Sequence, residues 1–401
     1  MTQHFEIIVI GGGLAGAAAA LSLARRGHQV GWVKGKDRAE PDGRTTALLM
    51  PSIDLLEELG VWSQVRERAA PLRTMRLIDG SRRLLRAPTV SFHASEIDQA
   101  AFGYNVPNAA LLEALTAAIG KESGVAVFAA SATSTDPVAD PVRVALDDEG
   151  VLTTSLIVAA DGRQSLARKA AGIGQRDWSY PQSALVLTFA HQFAHDDIST
   201  EFHTESGPFT QVPLPGRRSS LVWVERPGEA ERILTLDREA IGRTIEGKMQ
   251  SMLGAVTVDS SIQRFPLSGM VASRFGKGAV VLVGEAGHAF PPIGAQGLNL
   301  GMRDIRTLSD LRLETATRQG VEDFARRFDR ARQLDVRSRT TGVDLLNRSL
   351  LTGFLPVQMA RAGGISLLTI ASPLRRAAMR EGMRPGDALR HLWQSRKEVR
   401  R

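Results

Sequence analysis

A strand, a glycine turn and a helix open the chain, and this junction limits the fold more than any other stretch. Residues 5–10 (FEIIVI) are a short apolar run, and residues 11–16 read Gly-Gly-Gly-Leu-Ala-Gly. Residues 14–26 are rich in Ala and Leu and stop at Gly27, and residues 29–33 form a second apolar run. The pattern predicts strand, turn, helix and strand, with G-x-G-x-x-G spacing at the turn. Gly11 permits the tight turn, Gly13 lets the backbone approach a pyrophosphate, and Gly16 lets the helix lie close to the strand. The helix start, with Leu14 and Ala15 in its first turn, presents backbone amides and the positive end of a dipole to an anion. The expected product is a dinucleotide-binding α/β unit.

One part of that unit differs. The second strand usually ends in Asp or Glu, which holds ribose hydroxyls, and here Lys34 stands at that place. Either the ribose is held differently, or Asp37, three residues later, reaches back. A lysine would also suit a 2′-phosphate.

Two further stretches have the same strand-then-turn form. The apolar run 156–160 leads into Asp161-Gly162-Arg163-Gln164-Ser165, a ligand-facing turn opening a helix. The apolar run 279–283 leads into Gly284-Glu285, then Pro291-Pro292 and Gly294-Ala295-Gln296-Gly297, opening a helix from Leu298. The Glu285 carboxylate there would accept hydrogen bonds from a polyol. A helix start favours nearby negative charge by about 0.3–1 kcal/mol. Two prolines fix backbone shape without donors and would make an apolar wall.

Composition sets bounds around these motifs. A chain of 401 residues with 43% hydrophobic content suits two domains, or one large α/β domain with an inserted sheet. It has no cysteine, which excludes disulfides, iron–sulfur clusters and thiolate zinc sites. No His/Asp/Glu pairing has metal-ligand spacing, so no metal is expected. We read no signal peptide in MTQHFEIIVIGGG and no apolar stretch of the roughly 18–20 residues a membrane span needs. Residues 375–401 hold nine basic and three acidic side chains, nearly the whole net charge of +7. This tail suits a solvated terminus or attraction to anionic lipid. Nucleic acid is not expected, because no aromatic platform accompanies the charge.

Residues 52–59 and 109–119 read as helices, and residues 125–128 and 142–146 as a strand pair. From about 178 to 266 the pattern turns to short strands (184–190, 199–203, 220–225) between Gly/Pro turns, with one helical piece near 238–253. Helical pattern resumes at Gly297 and continues to the end.

The three turns, in this order and separation, resemble those of the single-component flavoprotein aromatic hydroxylases of the para-hydroxybenzoate hydroxylase fold. Within that fold the chain resembles the UbiH-like hydroxylases of ubiquinone biosynthesis. The resemblance covers roughly residues 5–350. It rests also on residues 42–48 (DGRTTAL), 103–108 (GYNVPN), 201–215 with its Glu-Phe-His, Gly-Pro-Phe and Pro-Leu-Pro, and 291–301 (PPIGAQGLNLG). It implies a Rossmann-like FAD-binding domain from residues 1–70, 100–175 and 270–345. A mostly antiparallel substrate domain would comprise 71–99 and 176–269, followed by a helical C-terminal region at 346–401 with the basic tail.

The resemblance implies FAD as cofactor, NAD(P)H or another donor as reductant, O2, and a lipophilic polyprenylated phenol that is hydroxylated through a flavin C4a-hydroperoxide. Carried over by position, Gly11, Gly13 and Gly16 would meet the pyrophosphate. Arg44 and Asn108 would contact FAD. Asp161 and Gly162 would lie near the pyrophosphate and the nicotinamide path. Glu285, where the family more often has Asp, would hold the ribitol. Gly297, Leu298 and Asn299 would offer backbone amides to the flavin pyrimidine edge. Only the first turn has a dinucleotide fingerprint, which suits a nicotinamide that visits transiently.

A phenol is more nucleophilic as phenolate, so a base or hydrogen-bond network is expected. The chain has only two tyrosines, Tyr104 and Tyr180, which limits tyrosine relays. No single catalytic acid or base is assigned: His203, on the inserted sheet, and Pro292 are candidates for catalytic contact, with a satisfied or exposed strand histidine as the plainer reading of His203, while His288 reads as a packing or loop hydrogen-bonding residue. Alternatives from other classes are a reductase or dehydrogenase of a prenyl lipid, and a non-catalytic FAD-fold scaffold for other ubiquinone-biosynthesis proteins. The expected place is the cytoplasm, with a peripheral position on the inner membrane face as an option for the basic tail.

Overall fold

The computed structural model of the chain describes residues 3–36, 42–81, 88–291, 296–351 and 372–383, with backbone alone at 296 and 339–351. Asp37, Pro292 and most of the basic tail lie outside the described residues.

The first sheet runs, edge to edge, through Gly276–Lys277, Val280–Leu282, Val151–Ala159, Gln3–Ile10, Val30–Val33 and Val125–Phe128. From Val280–Leu282 onward the neighbours are parallel. Covered on both faces, Ile7, Ile8 and Val9 are fully buried, as such strands must be. Helix Leu14–Ala24 lies on this sheet through Ala17–Ala20, all fully buried. Four alanines bring it close, and helices Asn108–Ile119 and Gln296–Asp310 flank it.

The strand pair expected from 125–128 and 142–146 does not form. Val125–Phe128 pairs in parallel with Val30–Val33 at the sheet edge. Val142–Leu146 pairs antiparallel with Ala132–Asp136 and Val151–Ala159. The intervening strand (ATSTD) is polar and largely exposed, so no apolar alternation betrayed it.

The second sheet is antiparallel apart from one pair. Its order is His288–Ala289, Gln263–Ala272, Gln175–His191, Arg218–Glu225, Pro208–Leu214, Ile198–His203, Thr74–Asp79 and Val90–His93, with Val256–Val258 beside Gln175–His191. Only Ile198–His203 and Thr74–Asp79 run parallel. The expected 184–190 strand extends to 17 residues, and a helix at Pro227–Leu234 joins the expected one at Arg238–Lys248.

One face of this sheet carries Leu185, Leu187, Phe189, Phe202, Phe209, Leu221 and Trp223, packed under those two helices. The other face meets the first layer. There the Thr45 hydroxyl donates to Ser220 Oγ at 2.9 Å, and Asn105 Nδ2 donates to the Pro213 carbonyl at 2.8 Å. A small third sheet, Thr45–Leu49, Gly103–Pro107 and Ala70–Pro71, lies at this junction. Helix Arg318–Leu351 runs on through residues 345–351, and Ser372–Met383 lays Met379 and Met383 against Ala94, Ile97 and Phe102. Among the described residues, no helix is long and apolar enough to cross a membrane.

Candidate active site

The glycine turn is built for close backbone approach. Gly11 has φ +133°, and a Cβ there would lie 2.1 Å from the Ala160 carbonyl oxygen. A Cβ on Gly16 would lie 2.0 Å from the Gly11 oxygen. Gly12 is equally confined, since its Cβ would fall 2.0 Å from the Lys34 oxygen. Gly13 differs: a Cβ there meets nothing within 4 Å. Among the described residues, no side chain caps the helix that starts at Leu14. Uncapped amides beside open space fit a pyrophosphate at this helix start. Lys34 directly follows its strand, with its amide donating to Phe128 O at 3.0 Å.

Arg44 and Asn108 come together, and Asp42 is what joins them. The Arg44 guanidinium donates two bonds of 2.7 Å to Asp42 and sits over the Phe265 ring at 5.6 Å. Asn108 Nδ2 donates to Asp42 at 3.0 Å and its oxygen accepts from Thr46 at 2.6 Å. Burial alone would raise the Asp42 pKa, but the hydrogen bonds from Arg44 and Asn108 and the Arg44 charge outweigh it, lowering it to about 2. A folded value below the unfolded one, about 3.9, gives stability that is present above pH ~4 and lost as pH falls toward 2. Asp42→Asn is therefore expected to lower the Tm at pH about 6, with the gap to wild type closing as pH falls below about 4. Scanning calorimetry of both proteins across pH checks this; a constant gap would contradict it.

The second and third turns face each other at the ends of adjacent strands. Asp161 Oδ2 accepts from the amides of Leu166 (2.8 Å) and Ala167 (3.3 Å), while its buried Oδ1 has no partner among the described residues. A buried oxygen of this kind costs energy unless something donates to it. Gly162 has φ +78°, and a Cβ there meets nothing within 4 Å. Buried Arg168 ties the turns together, donating to Ala286 O at 2.7 Å and Arg163 O at 2.6 Å. Glu285, 59% exposed, lies 3.4 Å from the Arg163 guanidinium, which also donates to Ser268.

Beneath Glu285 lies a buried charge cluster. Asp304 is fully buried and accepts from the Gly284 amide (2.9 Å), His288 Nε2 (2.7 Å) and Arg332 Nε (2.7 Å). Burial pushes its carboxyl up, but His288 and Arg332 hold it below the usual carboxylate range. The expected loop hydrogen bond of His288 is thus to Asp304, and its ring stacks on Phe290.

At the start of helix Gln296–Asp310, Gly297 is exposed and Leu298 half-buried. The Asn299 side chain is buried: its oxygen accepts from the Leu49 amide (2.9 Å) and Ser52 hydroxyl (2.7 Å), and its Nδ2 donates to Ala47 O. It fixes the helix start to the Thr45–Leu49 strand. His203, buried on the second sheet, bonds through Nε2 to Glu201 at 2.8 Å. Asp42, Arg168, Asp304, Arg332 and Glu201 carry the candidate site's electrostatics, and the sequence assigned none of them a role. Asp42 had a local signal in Asp42-Gly43-Arg44; Asp304 and Arg332 meet across 28 residues and had none. Among the described residues, no group of three or more metal-ligating side chains converges.

A model of the FAD binding domain family matches residues 4–337. A ubiquinone hydroxylase, UbiL, of Rhodospirillum rubrum is 32% identical over 94% of this chain and 89% of its own length. The 3-demethoxyubiquinol 3-hydroxylase of Escherichia coli K12 is 29% identical over 94% of this chain and 98% of its own length. Among solved structures, Pseudomonas aeruginosa PqsL in complex with 2-aminobenzoylacetate superposes with a TM-score of 0.77 at 24% identity, over 90% of this chain and 99% of that one. The p-nitrophenol 4-monooxygenase PnpA of Pseudomonas putida gives 0.71 at 17% identity, over 100% of this chain and 99% of that one. With the glycine turn, the two facing turns and the second sheet in place, the chain belongs to the FAD binding domain family, as an FAD-dependent aromatic hydroxylase of the UbiH-like group.

Proposed function

We propose that this chain hydroxylates the ring of a polyprenylated phenol in ubiquinone assembly, using O2 and reducing equivalents from NAD(P)H. The observation that supports it most directly is the set of three turns at adjacent strand ends, beside a sheet whose near side carries the apolar group Tyr180, Ala184, Val224 and Leu267. Gly11, Gly13, Leu14, Ala15 and Gly16 would hold the FAD pyrophosphate through backbone. Lys34 would lie toward the adenosine end. Arg44 and Asn108, fixed by Asp42, would meet the cofactor from the side, and Asp161 and Gly162 would close the turn beside it. Glu285 would take the ribitol, and Gly297, Leu298 and Asn299 would present the helix start to the pyrimidine edge. FAD, when bound, supplies the oxygen activation and transfer.

The chain's own contribution is positional and electrostatic. Tyr180, Ala184, Val224 and Leu267 are buried on the side of the sheet away from the Trp223 cluster, with Trp178 and Val222 packed on them. Such a wall excludes water and suits a lipophilic ring. We assign residues 71–99 and 176–269 to this substrate-facing body and the rest, up to 345, to the FAD body.

The test is oxygen uptake by the FAD-loaded chain with NADH or NADPH and a single-isoprene phenol. A product heavier by one oxygen atom is expected. Oxidation of nicotinamide without oxygen insertion would favour the reductase, and failure to bind FAD the scaffold. Deleting the gene in its host should accumulate a quinone precursor lacking one ring hydroxyl.

We also propose that residues 346–401 rest on the cytoplasmic face of a membrane. The support is the nine basic side chains from Arg375 onward. Flotation on anionic liposomes is expected for the full chain and loss of it after truncation beyond Pro373; equal flotation of both forms would count against it.

A further inference from the structure

We propose that His203, backed by Glu201, is the base that takes the phenol proton of the substrate. This rests on the hydroxylase reading above and adds a residue to it.

The placement follows from register. Thr210 pairs with Val222 on one side and with Glu201 on the other, and paired residues share a face. Val222 packs on the apolar wall of Tyr180, Ala184, Val224 and Leu267. Ser220, which receives the Thr45 hydroxyl from the first layer, is on this same face through its pairing with Val212, two residues from Thr210. Glu201 and His203, two residues apart on one strand, therefore project toward the FAD-binding layer, away from the Trp223 cluster. They are a polar pair beside an apolar wall, which is what a ring with one hydroxyl requires.

The chemistry follows from the bonds. Glu201 Oε1 accepts from His203 Nε2 at 2.8 Å, and Oε2 accepts from the Thr210 hydroxyl at 3.2 Å. The side chains are only 9% (His203) and 16% (Glu201) exposed. An ionised carboxylate only accepts, so Nε2 carries the hydrogen and Nδ1 presents a lone pair. In the transfer the phenol O–H bond breaks and an Nδ1–H bond forms, the electron pair staying on oxygen as phenolate. Glu201 balances the imidazolium charge. Asp79, paired with His203 across the neighbouring strand, accepts from the amide and hydroxyl of Ser81. Tyr180, on the apolar wall, accepts from Trp178 Nε1 at 2.6 Å. Glu205, in the turn after His203, follows outside the strand.

Para-nitrophenol, whose ionisation is visible by colour, is the probe, with para-nitroanisole as its proton-free control. FAD-loaded wild type is expected to bind para-nitrophenol as phenolate at a pH about one unit below that at which the free phenol ionises. His203→Gln should lose this shift and Glu201→Gln reduce it, with para-nitroanisole affinity and bound FAD unchanged in both. Hydroxylation of a single-isoprene phenol should fall about 100-fold in His203→Gln. Identical probe ionisation in wild type and His203→Gln, or wild type that binds only the neutral phenol or none, overturns the assignment. Failure of the hydroxylase reading looks different: wild type itself then forms no oxygenated product.

Discussion

Replacing Asp304 by Ala should lower the Tm by on the order of 10 °C and weaken FAD binding at least about tenfold. Asp304 is fully buried and Arg332 is 4% exposed. Removing Asp304 leaves Arg332 with Asp335, at 2.8 Å, as a carboxylate partner, and strips the Gly284 amide and His288 Nε2 of their acceptor; breaking a buried pair of this kind costs about 3–5 kcal/mol. For a domain of this size each kcal/mol moves the Tm by roughly 2–4 °C. The loss of FAD affinity has a separate cause. Asp304 holds both ends of the 284–288 turn, through the Gly284 amide and the His288 ring, to the helix that begins at Gln296. Without it Glu285 and the helix start lose their shared support. Asp304→Asn keeps an acceptor for the Gly284 amide but not the charge, so it should fall between Ala and wild type. Differential scanning fluorimetry with and without added FAD reads both effects. A Tm loss below about 2 °C in the Ala variant would show that the existing Asp335 contact alone compensates Arg332.

The backbone devices were legible in the sequence, and the charge networks were not. Each of the three turns follows an apolar run, because parallel strands are buried on both faces and must stop at a turn. That is a local signal, and it located residues 11–16, 161–162 and 284–285. The polar strand Ala132–Asp136 carried no such signal, and the pairing of Val142–Leu146 was misjudged with it. Partners of the buried charges lie far apart in the chain: His288 and Asp304 by 16 residues, Asp304 and Arg332 by 28. Glu201 and His203 are two residues apart, the strand's own period, so their sharing a face was readable. Which face was not, because it depends on the pairing of Thr210 with Val222.

The four glycines of the first turn should separate folding from cofactor binding. Gly11→Ala puts a Cβ 2.1 Å from the Ala160 oxygen at φ +133°, and the atom it strikes is backbone of a central strand. Neither can yield cheaply, since Ala160 follows the fully buried Val151–Ala159 strand end and its amide donates to Ile10 O at 2.8 Å. The variant should fail to accumulate as folded protein. Gly12→Ala should do the same, although the G-x-G-x-x-G pattern leaves that position free, because its Cβ falls 2.0 Å from the Lys34 oxygen. Gly16→Ala meets the Gly11 oxygen at 2.0 Å and belongs with them. Gly13→Ala stands apart. Its Cβ meets no atom of the described residues within 4 Å, so the apo fold and its Tm should stay within about 1 °C of wild type. The open space is where we place the pyrophosphate, and a methyl group there would hold the phosphates off the helix amides. FAD affinity should therefore drop by a factor of about 10 or more, equivalent to about 1.4 kcal/mol. Circular dichroism and FAD fluorescence titration of the four variants side by side check the division. A Gly13→Ala protein that binds FAD as wild type does would place the pyrophosphate away from this helix start.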